Sequence, residues 1–494
     1  MRAHRVGQSV SRWTTEFAAS RRSFLRVGAA YAFAQLAPSG VPWGAAQAQP
    51  VRLDDLPRLD GEFRLDDAAR SAAAVDYGRA VRRMPRAVAQ VRTVDDVMRV
   101  VSHANKRGLK VAVRGQAHSL FGQALVDDGI VIDSASLGAL DRTADEMLDV
   151  QAGVLWGDVA KAALAHARLP PVMPDALMLS VGGTLSAGGI GETSWRYGAQ
   201  VDHVDELDVV TGAGDVVTCS ASREPERFAM VLAGMGQCGI IVRARLALVP
   251  AARFVATRTF TYTDLDAFLA DQARLAQSAT LDLLNGRVIK NPQGGSEFAL
   301  TAGSFVARAE EASLAPDWMN GLQHATAGPA IATPILNYLD RRAASIAAGM
   351  GKATPSASLI VTLPAEATGP FIAELLASPE LSAGIWFFEL SVKVPRRHTR
   401  PLQKMPIAAF AYELRMQRRA SAVGALDHDA MLVAKRQLAA KALDSGGKVY
   451  PPFAPMLTPS QWEQHFGPAV WQRFKAAKER FDPNNVLNPG PGIF

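Results

Sequence analysis

The sequence predicts an α+β protein of two or three domains, and three observations lead there. Residues from about Pro85 to Pro250 are dense in short β-branched runs and glycine turns. From about Ala251 to Gly424 longer helical stretches mix with strands such as "ASLIVTL" and "GIWFFELSV". A final helical, proline-braced tail then closes the chain. The 494 residues have an ordinary apolar content, enough for large cores.

The elements follow in order. "TVDDVMRVVSHANKRG" reads as a helix: Thr93 with Asp96 resembles a capping box, Val97, Val100, Val101 and Ala104 recur at helical spacing, and Gly108 stops it. "LKVAVRG" and "GIVIDSASL" read as buried strands on either side of the loop "RGQAHSLFGQA". Small residues at a strand's end let backbone N–H groups approach an anion. His118 in that loop is therefore either a plain polar loop residue or a group set beside a bound ligand. "PDALMLSVGGTLSAGGIGETSWRYG" is unusually glycine-dense. With Ser180, Thr184 and Ser186 it suits a pyrophosphate and a flat ring, yet it lacks the G-x-G-x-x-G of a dinucleotide-binding βαβ unit. "ELDVVTGAGDVVTCS" is a hairpin signal, and "GQCGIIVRARLALVP" a strand ending at Pro250. "DHDAMLVAKRQLAAKALDSGG" is a helix with Asp427 as N-cap.

Charge and motifs exclude several classes. The formal charge is +6, but Met1 to Ala48 holds six arginines against Glu16, so the remainder carries only +1. That body does not fit a nucleic-acid binder. The N-terminal "SRRSFLRVGAAYAFAQLAPSG" followed by "AQA" reads as a twin-arginine export signal ending near Ala48, which predicts a periplasmic or secreted bacterial protein. Its apolar run is too short to span a bilayer, so no stable membrane insertion is expected. Two cysteines, Cys219 and Cys238, make no disulfide framework, and no metal-ligand spacing is present.

Taken together, "RGQAHSLFGQA", "PDALMLSVGGTLS", "ELDVVTGAGDVVTCS", "GMGQCGIIVRAR" and "HFGPAVWQRFKAAKERFDPNNVLNPGPGIF" resemble, in the same order, the motifs of cytokinin dehydrogenases. These belong among flavoenzymes of the vanillyl-alcohol-oxidase and p-cresol-methylhydroxylase type. The resemblance covers about Arg83 to Pro250 and Lys448 to Phe494 and is weak between. It implies a split, two-subdomain FAD-binding domain, 49–250 and 426–494, around an inserted α+β substrate domain at 251–425, an antiparallel sheet flanked by helices. It implies FAD held by one covalent bond through His118 and lined by Gly115, Gln116, Ala117, Ser119, Gln123, Asp175, Ser180, Ser186, Ile190 and Ile240. Asp175 matches the catalytic aspartate that takes a hydrogen bond or proton from a substrate N–H. Asn285 stands where the family has a substrate-binding glutamate, Ala117 where it has glycine, and Pro491 where its tail ends in glutamine. The implied reaction is oxidation of a secondary amine of the N6-isopentenyladenine type to an imine that hydrolyses to adenine and aldehyde, with quinone or oxygen as electron acceptor. Oxidation of another small amine, or of an alcohol or sugar, stays open, as does a binding protein without turnover.

Overall fold

The computed structural model describes residues 55–144, 146–277, 281–290, 295–313, 317–350, 356–418 and 427–494. The export signal and its cleavage site lie outside them. Among the described residues are three larger sheets. The first has four strands, in the order Glu62–Arg64, Ala87–Gln90, Ile130–Asp133 and Val111–Arg114, the last three parallel. Its parallel strands are short apolar runs, as strands covered on both faces require.

The helix Val94–Arg107 crosses between two of these strands and forms as its caps dictate. The Thr93 hydroxyl accepts from the Asp96 N–H (3.2 Å), and the Asp96 carboxylate takes N–H groups of Thr93, Arg92, Asp60 and Gly61. Gly108 ends the helix at φ 66°, a backbone angle that favours glycine. Val97, Val100, Val101 and Ala104 are fully buried against the sheet.

The second sheet is antiparallel: Leu140–Ala144, Met147–Gln151, Ile240–Ala247, Val204–Val210 and Val216–Ser220, the last two being the expected hairpin. The glycine-dense segment differs from a plain extended run. It is a short helix, Val181–Ala187. A Cβ on Gly182 would lie 2.6 Å from the Ala152 Cβ, so glycine here permits the helix to lie directly on neighbouring backbone.

The third sheet has nine strands, and its ladders are antiparallel. Its central strands are Leu283–Lys290, Ile385–Lys393 and Ala411–Arg418. Phe388, Leu390, Val392, Leu414 and Met416 fill the core on one face. Asn285, Glu389, Ser391, Lys393, Glu413 and Arg415 point to the other, and they too are buried or nearly so. A buried polar face of this kind must be satisfied within the protein.

The chain then runs through the helix His428–Asp444, capped by Asp427 as expected, and adds Lys448–Val449 to the edge of the large sheet. It returns to the first sheet at Pro451, whose carbonyl accepts from Gln123 Nε2 (2.5 Å). After the helix Pro468–Phe481, the tail pairs with the strand Val111–Arg114: Val111 N–H donates to the Val486 carbonyl (2.8 Å), and Asn488 N–H to that of Val111 (2.7 Å). The buried pair Lys478–Asp482 (2.6 Å) fixes that turn, with Asp482 accepting from the N–H groups of Val486 and Leu487. Both cysteines are free and buried. Among the described residues no group of side chains could hold a metal ion, and no helix is long and apolar enough to cross a membrane.

Candidate active site

Two cavities lie where the sheets meet. The first, about 800 Å³, is walled by the loop after the strand Val111–Arg114, by the glycine-dense helix, by the start of the strand Ile240–Ala247 and by the returning tail. Gly115, Ala117, Ser119, Gln123, Ser186 and Ile240 line it. Ser180 stands directly behind Gly115, where an added Cβ would come within 2.1 Å of its hydroxyl. Ile190 is buried in the main core and Gln116 is half-buried; neither lines the cleft.

His118 stacks on Tyr77, ring centroids 4.9 Å apart. Burial pushes its imidazole down to about 4, so the ring is neutral at physiological pH. Its Nδ1 is buried without a hydrogen-bond partner among the described residues. The loop around it is strained: Ala117 and Phe121 hold φ of 55° and 56°, beside Gly122 at 74°. A left-handed angle costs an L-residue roughly 1–2 kcal/mol, and such strain concentrates at ligand sites. Ala117 thus holds a backbone angle that favours glycine.

The second cavity, about 1,010 Å³, has apolar walls that include Leu169, Met173, Phe305, Ile335 and Leu339. One corner is charged. There Asp175, 9% exposed, is clamped by two guanidinium groups: Arg415 Nη1 donates to its Oδ2 (2.7 Å), and Arg342 Nη2 lies 3.1 Å from its Oδ1. Burial alone would raise this carboxyl, but Arg342 and then Arg415 more than offset it and hold it down at about 2. Arg342 Nη1 also pairs with Glu192 Oε1 (3.1 Å), whose Oε2 accepts from the Tyr338 hydroxyl (2.6 Å). The Tyr450 hydroxyl ties the glycine-dense segment to the polar face of the large sheet. It accepts from Gly189 N–H (3.1 Å) at the end of the glycine-dense segment and lies within electrostatic reach of Glu413 and Arg415.

Comparison with known proteins gives this arrangement a family. The family model described as an FAD binding domain matches residues 85–220, and that described as the FAD- and cytokinin-binding part of cytokinin dehydrogenase 1 matches residues 414–494. Cytokinin dehydrogenase 7 of Oryza sativa subsp. japonica is 31% identical over 491 residues, 88% of this chain and 91% of its own. The chain belongs to the cytokinin dehydrogenase family. It is an FAD-dependent oxidoreductase. An oxidoreductase of the fasciation locus of Rhodococcoides fascians is 32% identical over 442 residues, 87% of this chain and 99% of its own. Among solved structures, 6-hydroxy-D-nicotine oxidase from Arthrobacter nicotinovorans superposes with a TM-score of 0.67 at 21% identity, over 87% of this chain and 97% of that one. That likeness concerns the fold, which is of the p-cresol-methylhydroxylase type.

The first cleft fits FAD on its own features. Gly115 and Gly183 both pack on Ser180, where added Cβ atoms would fall 2.1 and 3.0 Å from its Oγ, so the two backbone walls of the cleft can approach closely. Arg114 Nε and Asn488 Oδ1 are buried polar atoms without a partner among the described residues, and both residues line the cleft.

The sequence reading did not single out Glu192, Tyr338, Arg342, Glu389 or Arg415. For Glu389 and Arg415 the signal was the alternation of "FELSVK" and "YELRMQ", which by itself reads as one solvated strand face; Glu192, Tyr338 and Arg342 carried no motif. Asn285 is buried in this network but does not line either cavity. Its Nδ2 donates to Glu389 Oε1 (2.6 Å), and Glu389 Oε2 lies 4.0 Å from Arg415. The amide is thus a neutral donor to a carboxyl group that stands behind Arg415. Asn285→Glu sets two buried carboxylates against each other. We expect it to lower stability by about 3 kcal/mol, the scale of an uncompensated buried charge, read as a fall in thermal midpoint with flavin still bound. An unchanged midpoint would place the side chain elsewhere.

Proposed function

We propose that the protein is an exported amine dehydrogenase of the cytokinin type, oxidising a secondary amine such as N6-isopentenyladenine. The observation that carries this reading is Asp175, an ionised carboxylate at the charged corner of an otherwise apolar cavity beside the flavin cleft. An apolar wall suits an isopentenyl-like substituent, and the carboxylate suits an N–H donor. When bound, FAD supplies the acceptor for the hydride that leaves the carbon next to the substrate nitrogen. Asp175 accepts the substrate N–H and so fixes that carbon's orientation. As positive charge grows on the nitrogen, the fixed anion opposes it, and the apolar walls keep bulk water away. The clamp changes the role expected of Asp175. A carboxyl held at about 2 is a weak proton acceptor, so it serves as an anionic anchor. The imine then hydrolyses to adenine and aldehyde, and quinone or oxygen takes the electrons.

Anaerobic bleaching of the flavin by isopentenyladenine, set beside simple alkyl amines, alcohols and sugars, tests the substrate class. The expected result is fast bleaching by the adenine derivative. Bleaching by alcohols or sugars alone would overturn it.

We further propose that His118 carries the flavin covalently. The unpartnered, neutral Nδ1 supports this, because a neutral imidazole nitrogen can form a bond to carbon. Acid-precipitated, washed protein should keep its flavin fluorescence, and His118→Ala should lose it. Equal retention by the variant would refute the bond.

Export is proposed through Arg21 and Arg22. Replacing both with lysine keeps the charge but removes the guanidinium groups. It should strand active, flavin-loaded protein in the cytoplasm, and normal export of that variant would contradict the assignment.

A further inference from the structure

We propose that Tyr77 is a positioning residue for cofactor attachment: its aromatic ring holds the His118 imidazole in line for the bond to the flavin. This rests on the covalent reading of His118 above. The two rings stack with centroids 4.9 Å and planes 29° apart. The lone pair of an imidazole nitrogen lies in the plane of the ring. A partner on the ring face therefore fixes that plane and occupies neither nitrogen. Nδ1 is buried without a hydrogen-bond partner among the described residues. Burial outweighs the neighbouring Gln116 backbone and keeps the ring neutral, so the lone pair is available.

Tyr77 sits on a turn that is closed on itself. Asp76 Oδ1 accepts from the N–H groups of Ala80 (2.8 Å) and Val81 (3.2 Å), and the Arg79 N–H donates to the Asp76 carbonyl (3.1 Å). The same turn is joined to the flavin loop at successive residues. The Tyr77 N–H donates to the carbonyl of Ser119 (3.1 Å), the residue after His118. A Cβ on Gly78 would lie 2.8 Å from Leu120 Cδ2, so the two segments pack closely there. Asp76 Oδ2 accepts from the Gly122 N–H (3.3 Å). Phe121 is held by the helix His428–Asp444, whose buried Lys435 places Nζ 3.4 Å from the centroid of its ring and donates to the Ser358 carbonyl. A loop with left-handed residues persists only where its surroundings over-determine it. Among these contacts, the stack on Tyr77 is the one made by the imidazole itself.

In forming the bond, an imidazole nitrogen gives its lone pair to a methyl carbon at the edge of the flavin ring, and that carbon loses one hydrogen as a proton. The C–H electron pair stays in the ring system, which is thereby reduced by two electrons, and these pass on to the quinone or oxygen acceptor. The imidazole N–H proton also leaves, so the linked imidazole is neutral. What the chain supplies is alignment of the lone pair with the carbon, and a misplacement of about 1 Å costs on the order of 10²-fold in rate. The flat face of Tyr77 gives that alignment, and its hydroxyl has no part in it.

The test follows attachment and needs no turnover. Flavin-loaded protein is harvested at intervals after its synthesis is stopped. Bound flavin is read from visible absorbance, and the share that survives acid precipitation and washing is measured against it. That ratio does not depend on how much of a variant folds. Tyr77→Met fills the space without a flat face. It should bind flavin but gain the acid-stable share about 10²-fold more slowly than the wild type. Tyr77→Phe keeps the face and should match the wild type. Attachment at the wild-type rate in Tyr77→Met, or Tyr77→Phe as slow as Tyr77→Met, would overturn the inference. So would loss of all bound flavin in Tyr77→Met, because the ring would then hold the cleft and not His118. A wild-type protein without acid-stable flavin would instead overturn the covalent reading.

Discussion

The clamp on Asp175 joins parts of the chain that have no other reason to meet. Asp175 follows the proline run of the flavin-side loop, Arg342 comes from a helix 167 positions later, and Arg415 from the middle of the large sheet. Taking three charges out of water is costly, and removing one partner from such a group leaves an uncompensated charge worth about 3–5 kcal/mol. The arrangement persists only because each ion has its counter-ion in place. Arg415 stands next to Glu389 and Glu413 as well as Asp175, and Lys393 approaches Glu413 (3.8 Å). The polar face of the sheet is thus a single set of interlocked charges, and it fixes where the cavity's reactive corner lies.

Most of the flavin side was legible in the sequence, and the physical reason is locality. The capping box at Thr93, the left-handed Gly108, the two parallel strands and the Val204–Ser220 hairpin are each specified by residues within a few positions of one another. The loop from Arg114 to Ala124 is likewise contiguous, and its residues line one cleft as a block. The substrate side was not legible in the same way. Its corner draws Asp175, Glu192, Tyr338, Arg342 and Arg415 from four separate elements. Strand alternation correctly predicts which residues share a face, but not whether that face meets water or a buried network. Glu389, Ser391 and Lys393 are 4%, 1% and 3% exposed, so the alternation here marks a site and not a surface.

Asn285 shows the same limit from another side. Matched by motif alone, it stands in a substrate contact. In three dimensions its amide holds Glu389, one residue removed from Arg415. A change from carboxylate to amide is then a change in the charge count of the network. With Glu389 already present, a second carboxylate would leave one of the two without a cation. The amide of Asn285 thus belongs to the same charge network as Arg415.

Under the proposed amine-oxidising function, the charge count also bears on which amines the cavity would admit. Asp175 is paired with Arg342 and Arg415, Arg342 also with Glu192, and Arg415 also with Glu389 and Glu413, so each carboxyl group of the corner already has a cation beside it. An alkyl ammonium ion would lose its hydration in an apolar cavity and gain no attraction in return. Unit charges 4 Å apart interact by about 4 kcal/mol at an effective dielectric of 20. Attraction and repulsion of that size nearly cancel where each carboxylate already has its guanidinium, so the lost hydration is not recovered. An exocyclic amine on an aromatic ring is uncharged at neutral pH and still presents one N–H. For such a nitrogen the clamped carboxylate is a complete partner: an acceptor fixed in place, ionised at every physiological pH, and shielded from drawing in cations.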